Sequence, residues 1–320
     1  MIHDINLGSD AATLNGANLD RLMEAYLADR RRRVQEKTVA GYRFKLRPFI
    51  EWWRGVGPSC NWLLSEDDLT DYETYLLTIS DWAWSTRSDA LRRLRQMFRW
   101  AHKRGYVAID FSLYVPTTRG AAPVKNPVDL SALAAMLDAC WKMSNPLRNR
   151  CVLAILAGTG LRREECASLR IESITIMADG AGYCQPEVTK NDKPRLVAFD
   201  GATGEYIQRW LDVLGKTSGP LFPSRKGGGA LSPDGIYKVV MDAAKLAGVD
   251  METHDLRRMF ATVWSKTLRG ESYGQLLQKQ LGHANYETTT LYSLQDVSDV
   301  LDVMRKSSVS PLALLPRSTR

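Results

Sequence analysis

The sequence predicts a mainly α-helical protein of two domains: an all-helical N-terminal domain, then a mixed α/β domain carrying a small antiparallel sheet. Three observations predict this. Apolar residues recur at helical spacing over most of the 320 residues. Residues 116–127, PTTRGAAPVKNP, hold three Pro, a Gly and two basic residues, the composition of an interdomain linker. Residues 173–199 change character to short β-rich runs, SITIM, YCQPEVTK and RLVAF, separated by ADGAG and NDKP, which reads as about three strands with a turn at Asn191–Asp192.

Residues 1–17 are polar and small and read as a flexible N-terminus. From Asn18, the residues Leu19, Leu22, Met23, Tyr26 and Leu27 share one helical face, which ends in the basic run Arg30–Arg33. Thr38 is placed to cap a second helix carrying Tyr42, Phe44, Leu46, Phe49, Ile50 and Trp53, with Pro48 as a kink and Gly55, Gly57 and Pro58 as its end. Ser65 before three acids opens a third helix, with Leu69, Tyr72, Leu76 and Leu77 expected inward. The fourth spans Ser85 to Arg104, with an apolar stripe of Leu91, Leu94, Met97, Phe98 and Ala101. Its other faces carry Arg87, Arg92, Arg93, Arg95, Arg99, Lys103 and Arg104 against Asp89 alone, seven minus one, or +6. A charge run is commonly just a solvated face. The alternative is a helix laid on DNA with Arg and Lys on phosphates, which makes Arg87, Arg92, Arg95, Arg99 and Lys103 the candidate DNA-binding residues. The N-terminal domain is thus residues 18–115 and the linker 116–127.

In the second domain, Asp129 is read as the cap of a helix with Leu130, Leu133, Met136, Leu137, Cys140 and Trp141 inward, and Pro146 starts another through CVLAILAG. TGLRREECASLR reads as a sharp turn at Gly158–Gly160 into a further helix. After the β-rich runs, helices resume near Ala202, KGGGA is a loop, Ser232–Pro233 starts a helix, and another opens at Thr253. After Tyr292 come 28 residues, in which DVSDVLDVM is amphipathic and PLALLP apolar. They read either as a helix packing on its own domain or as a tail docking on a neighbouring protomer.

Composition narrows the function classes. Hydrophobic content of 44% and charged content of 25% are ordinary for a soluble globular protein. No run of eighteen apolar residues and no secretory leader pattern is present, so a cytoplasmic protein with no membrane partner is expected. The five Cys (60, 140, 151, 166 and 184) match no metal-ligand spacing and read as reduced, mostly buried thiols. A formal net charge of +7 favours a polyanionic partner such as nucleic acid.

The chemistry concentrates late in the chain, in THDLRRMFATVW from Thr253 and LGHANYETTTLY ending at Tyr292, which hold two of the four His. Breaking a phosphodiester without a metal needs cations on the non-bridging oxygens, a nucleophile, and an acid for the leaving oxygen. Arg162 and Arg257 are the candidate cations, because a guanidinium bonds phosphate oxygens bidentately and stays charged. Arg257 falls in the first turn of its helix, where free N–H groups favour an anion, and His254 lies one turn earlier on the same face. Glu165, one turn after Arg162, is placed to orient that guanidinium. Lys190, at the mouth of the expected β-turn, is the candidate general acid, His283 follows Leu-Gly, and Tyr292 is the candidate nucleophile.

In these segments the sequence closely resembles the tyrosine recombinases (phage integrase family): TGLRREE with Arg162 and Glu165, TKNDKPR with Lys190, HDLRR with His254 and Arg257, LGH with His283, and Tyr292 nine residues on. LRRLRQMFRWAHKRGY resembles the end of that family's N-terminal core-binding (SAM-like) domain, and the resemblance covers residues 18–305. It implies a catalytic domain over 128–305, a tail over 306–320, and a C-shaped clamp around DNA. It implies transesterification with no cofactor and no metal, through a 3′-phosphotyrosyl intermediate and a free 5′-hydroxyl. It further implies strand exchange through a Holliday junction in a homo-tetramer on double-stranded target sites, from a monomer or weak oligomer when free. Three features depart from the family pattern. Asn191 and Asp192 stand where Gly is usual, which leaves Lys190 and Lys193 as alternatives for the acid. Asp110-Phe111 replaces the usual Asn-Pro, and the stretch from Arg257 to His283 is a few residues longer. Two other readings remain. A type IB topoisomerase-like or hairpin-forming strand transferase would relax plasmid lacking any target site. A non-catalytic DNA-binding regulator would lose nothing on Tyr292→Phe.

Overall fold

In the computed structural model the described residues are 16–56, 64–78, 82–117, 129–187, 195–224, 229–268, 270–282 and 294–316. The chain divides into two compact units, Met1–Lys125 and Asn126–Arg320.

The first unit is helical: α1 (Gly16–Arg31), α2 (Glu36–Val56), α3 (Glu66–Thr78) and α4 (Trp84–Lys103), followed by a 3₁₀ turn at Phe111–Leu113. Their apolar stripes meet in one core, with Leu22, Tyr26, Phe49, Trp53, Tyr72, Leu94 and Phe98 almost fully buried. Thr38 does not cap α2: the helix begins at Glu36, and the Thr38 amide already donates to Gln35 O at 2.8 Å. The helix runs on through Pro48. Leu77 was expected inward and is 61% exposed, and Phe44, read as part of the α2 stripe, is 59% exposed. In α3 the inward line is Leu69, Tyr72 and Leu76, spaced by three and four residues. Leu77 is a further 100° round the helix, past the edge of that line.

On α4, Arg92, Arg99 and Lys103 are exposed, while Arg87 and Arg95 are part-buried. Arg92 pairs with Asp89, and Arg95 Nη2 donates to Val115 O at 2.6 Å, which fixes the chain leaving the helix. Arg93 lies 4.2 Å over the Tyr42 ring, so this one member of the basic run is held by packing.

The second unit is built round α6 (Pro146–Thr159), whose residues Asn149 to Thr159 are all buried, the signature of a helix surrounded by neighbours. α5 (Leu130–Ala139), α8 (Gly201–Leu214) and α9 (Pro233–Ala247) contribute to the same core. The caps of α5 and α9 were legible: Asp129 accepts from the Ser131 amide at 2.8 Å, and Ser232 Oγ from the Gly235 amide at 3.1 Å. Trp141 was expected inward and is 56% exposed. It lies beyond the end of α5, in the 3₁₀ turn Cys140–Lys142, where the helical stripe has lost its register, and its ring sits under the Arg150 guanidinium at 4.8 Å. Cys140, Cys151, Cys166 and Cys184 are free and buried. Burial pushes the thiols of Cys140 and Cys184 up to about 12, which keeps them protonated and unreactive.

The three expected strands are present but shorter: β1 (Ile174–Ile176), β2 (Gly182–Cys184) and β3 (Val197–Phe199), antiparallel in that order. Gly182 pairs with Ile176 and Phe199, and a Cβ there would stand 2.0 Å from Thr175 O. The Asn191–Asp192 turn lies outside the described residues. A smaller second core joins β3 and the sheet loops to α10 (Thr253–Thr267), α11 (Glu271–Leu281) and α12 (Leu294–Lys306) through Ala198, Phe260, Trp264, Leu281, Val300 and Leu301. Within one chain the C-terminal segment therefore lies on its own domain: Arg305 pairs with Asp179 at 2.7 Å, and Leu312 and Leu315 are buried in the main core.

Candidate active site

Two left-handed glycines shape the site. The segment TGLRR leaves α6 at Gly160 (φ 70°), and a side chain there would strike Leu281 and Phe260. Gly158, expected to share that turn, is instead within α6, where a Cβ would lie 2.0 Å from Thr203 Oγ1, so it serves close packing of α6 on α8. Past Gly160, Arg162 becomes the N-cap of α7 (Arg163–Ala167). The second glycine, Gly282 (φ 64°), ends α11. At α10, Glu252 and Asp255 cap the helix mutually, the Glu252 amide donating to Asp255 Oδ2 at 3.1 Å.

Arg257, projecting from the first turns of α10, is 5% exposed. Its Nη1 donates to Gly160 O at 2.5 Å and its Nη2 to Leu281 O at 2.7 Å, so one guanidinium ties the end of α6 to the end of α11. Glu165, 1% exposed, faces Arg162: Oε2 accepts the Arg162 amide at 2.8 Å and Oε1 accepts Arg162 Nη1 at 3.1 Å. Arg162 Nη2 also reaches Gly282 O at 3.4 Å, and its side chain keeps 25% exposure, an open edge toward solvent. Glu165 thus bonds the residue three positions before it, Arg162, through both amide and guanidinium.

Arg195, the third guanidinium, belongs to none of the motif positions that mark the site in the sequence. Its Nη2 donates to Glu165 Oε2 at 2.9 Å and its Nη1 to Leu281 O at 3.0 Å. It ends the TKNDKPR segment, and an Arg opening the apolar strand LVAF is the one signal that pointed to it. Gln280, fully buried, was equally invisible. It bonds both backbone groups of Ala198 and the Thr159 carbonyl, seating α11 on β3 and α6.

Three guanidiniums around one carboxylate leave a formal excess of three minus one, +2. Arg257 registers it: burial first, then the neighbouring Arg162 and Arg195 charges, lower its guanidinium to about 10, against the opposing pull of Glu165. The Leu281 carbonyl at the end of α11, which a helix leaves unpaired, accepts from Arg257 and Arg195, and the Gly282 carbonyl after it from Arg162. His254 lies in the first turn of α10 with its side chain exposed, one turn before Arg257. Lys190, Lys193, His283 and Tyr292 lie outside the described residues. Their flanks are described: Gly282 directly precedes His283, Leu294 of α12 follows Tyr292 by two residues, and Arg195 follows Lys190 by five. The structure therefore brings together Arg162, Glu165 and Arg257 from segments nearly a hundred residues apart, and adds Arg195.

Fold and site together define a helical α/β domain in which Arg162, Arg195 and Arg257 cluster with the buried Glu165, and Arg162 holds the open edge. The chain belongs to the phage integrase family, whose family model matches residues 128–298. It is 28% identical over 276 residues to tyrosine recombinase XerD of Vibrio cholerae serotype O1, covering 82% of this chain and 87% of that protein. It is 27% identical over 292 residues to tyrosine recombinase XerC of Lactobacillus delbrueckii subsp. bulgaricus, covering 86% and 93%. Among solved structures, lambda integrase bound to DNA matches with a TM-score of 0.63 at 18% identity, covering 88% of this chain and 95% of that one. XerH recombinase bound to palindromic difH matches with a TM-score of 0.57 at 20% identity, covering 91% and 85%. These two likenesses are of fold. No described helix is long and apolar enough to cross a membrane.

Proposed function

We propose that this protein is a tyrosine-type site-specific DNA recombinase that breaks and rejoins strands through a 3′-phosphotyrosyl intermediate. The observation that carries the reading is the cluster of three arginines around the buried Glu165 carboxylate, with Arg162 open to solvent. Arg162 and Arg257 take the non-bridging oxygens of the scissile phosphate, with His254 and His283 as further donors. The Tyr292 phenol loses its proton to solvent as its oxygen bonds phosphorus. The bond to the 5′ oxygen breaks, and Lys190 gives a proton to that leaving oxygen. One phosphodiester replaces another, so attack by the 5′-hydroxyl of a second strand reverses the step and completes an exchange. The names of the relatives and the DNA-bound recombinase assemblies among the structural likenesses support double-stranded DNA as partner and a tetramer on two sites passing through a Holliday junction. Such an enzyme works in the cytoplasm, on the nucleoid or an invading genome.

A nicked suicide substrate tests the reading. Wild type is expected to accumulate a covalent adduct at the strand's 3′ end with a free 5′-hydroxyl. Attachment to a 5′ phosphate, or no adduct on a verified site, removes it.

Two further outcomes are expected. Lys190→Ala slows cleavage of ordinary DNA by about 10²–10⁴-fold. A 5′-phosphorothiolate at the break, whose thiolate leaves unaided, restores the rate. Rescue of Lys193→Ala instead moves the acid three residues on. On α4, simultaneous Ala replacement of Arg92, Arg95 and Arg99 is expected to flatten the dependence of log K on log salt by about 0.9 per lost phosphate contact. An unchanged slope takes this helix off the DNA.

A further inference from the structure

We infer that Arg195 is a positioning residue of the cleavage reaction: it holds Glu165 and the end of α11 at once, and so sets the orientation in which Arg162 meets the scissile phosphate. This rests on the assignment of Arg162 to that phosphate.

The Arg195 side chain is 8% exposed and the Glu165 side chain it grips 1%, against 25% for Arg162, so of this linked trio Arg162 holds the open edge. Its influence passes through the carboxylate. Glu165 Oε2 is shared between the Arg162 amide at 2.8 Å and Arg195 Nη2 at 2.9 Å, leaving Oε1 for Arg162 Nη1 at 3.1 Å. Three donors from two directions fix the carboxylate plane and hence the face that Arg162 turns outward. The sharing has an electrostatic consequence as well. A carboxylate paired with Arg162 alone would neutralise it and compete with phosphate. One divided between two arginines orients Arg162 and leaves it cationic. The other fork of Arg195 bonds Leu281 O at 3.0 Å, the same carbonyl that anchors Arg257 Nη2 at 2.7 Å, two residues before His283. Gly282 is adapted to this arrangement, because a Cβ there would lie 1.6 Å from Arg195 Nη1. One planar fork thus spans the Arg162 and Arg257 anchors. A lysine, with a single ammonium, does not reproduce it.

The experiment is single-turnover cleavage by the full-length protein of a nicked substrate bearing either the native scissile phosphate or a methylphosphonate, which lacks the charge Arg162 meets. Arg195→Lys is expected to slow cleavage of native phosphate by about 10–100-fold at unchanged DNA affinity. The loss is expected to fall below about threefold on methylphosphonate and in the Arg162→Ala background, because coupled residues are non-additive. Glu165→Gln, which keeps the volume and removes the shared charge, is the second variant and should show the same selective loss should Arg195→Lys not fold. Wild-type cleavage by Arg195→Lys, or equal losses on both substrates, overturns the inference while Arg162→Ala remains impaired. Arg162→Ala cleaving like wild type strikes the site assignment itself and takes the inference with it.

Discussion

Tyr292→Phe is expected to bind target DNA like wild type and to form no covalent adduct. The substitution removes one oxygen and leaves the ring, so affinity, which rests on phosphate contacts elsewhere, stays within about twofold. Cleavage has no other route, because a phosphodiester held by arginines still needs a nucleophile. The trapped fraction should fall below about a thousandth of wild type, the scale on which removal of a catalytic nucleophile acts. Tyr286→Phe, six residues earlier in the same segment, is the control expected to keep trapping. Adduct formation by Tyr292→Phe and its loss in Tyr286→Phe would transfer the role. Adducts in both would leave the recombinase reading without its central step.

Arg257→Met is expected to separate activity from stability. Cleavage should drop by about 10²–10³-fold or more, the usual effect of removing one preorganised donor from a developing oxyanion. Stability should change little, because two terms oppose. The substitution leaves the Gly160 carbonyl without this partner, at about 1–3 kcal/mol for an unsatisfied group, while the Leu281 carbonyl keeps Arg195. It also removes a buried charge whose guanidinium is lowered to about 10 by burial and by Arg162 and Arg195, a cost of a few kcal/mol at about 1.4 kcal/mol per unit. The sign follows from linkage. A base with a depressed folded pKa destabilises the fold wherever it is charged in both states, and that cost begins to lift only as pH rises past about 10. Across any ordinary assay range Arg257 is therefore cationic, and a bound phosphate relieves the cost. Thermal unfolding alongside single-turnover cleavage checks the split. Cleavage within threefold of wild type would show that Arg257 does not meet the phosphate.

Most of the helices and their order, and most of the inward residues of α1 to α5, were determined by the sequence alone, because amphipathic period, caps and breakers are local physics. Leu69, Tyr72 and Leu76, the caps Asp129 and Ser232, and the pairing of Arg162 with Glu165 three residues on were all legible in this way. The misplacements fall where local pattern stops deciding. Leu77 and Trp141 sit at the edge or end of a stripe, where only the shape of the neighbouring helices says whether there is room. Gly158 looked like part of a turn, and the approach of Thr203 from another helix explains it. The motif around Tyr292 named one half of a site, and the tertiary structure decided what its buried half is made of. Arg257 and Arg195 converge on the Leu281 carbonyl, and Arg195 and Arg162 on Glu165, contacts that span 24 to 86 residues wherever they leave the local turn. No spacing rule foretells them, because an arginine's partners are set by which chain ends the packed core delivers to its fork, and that is decided only when the helices close.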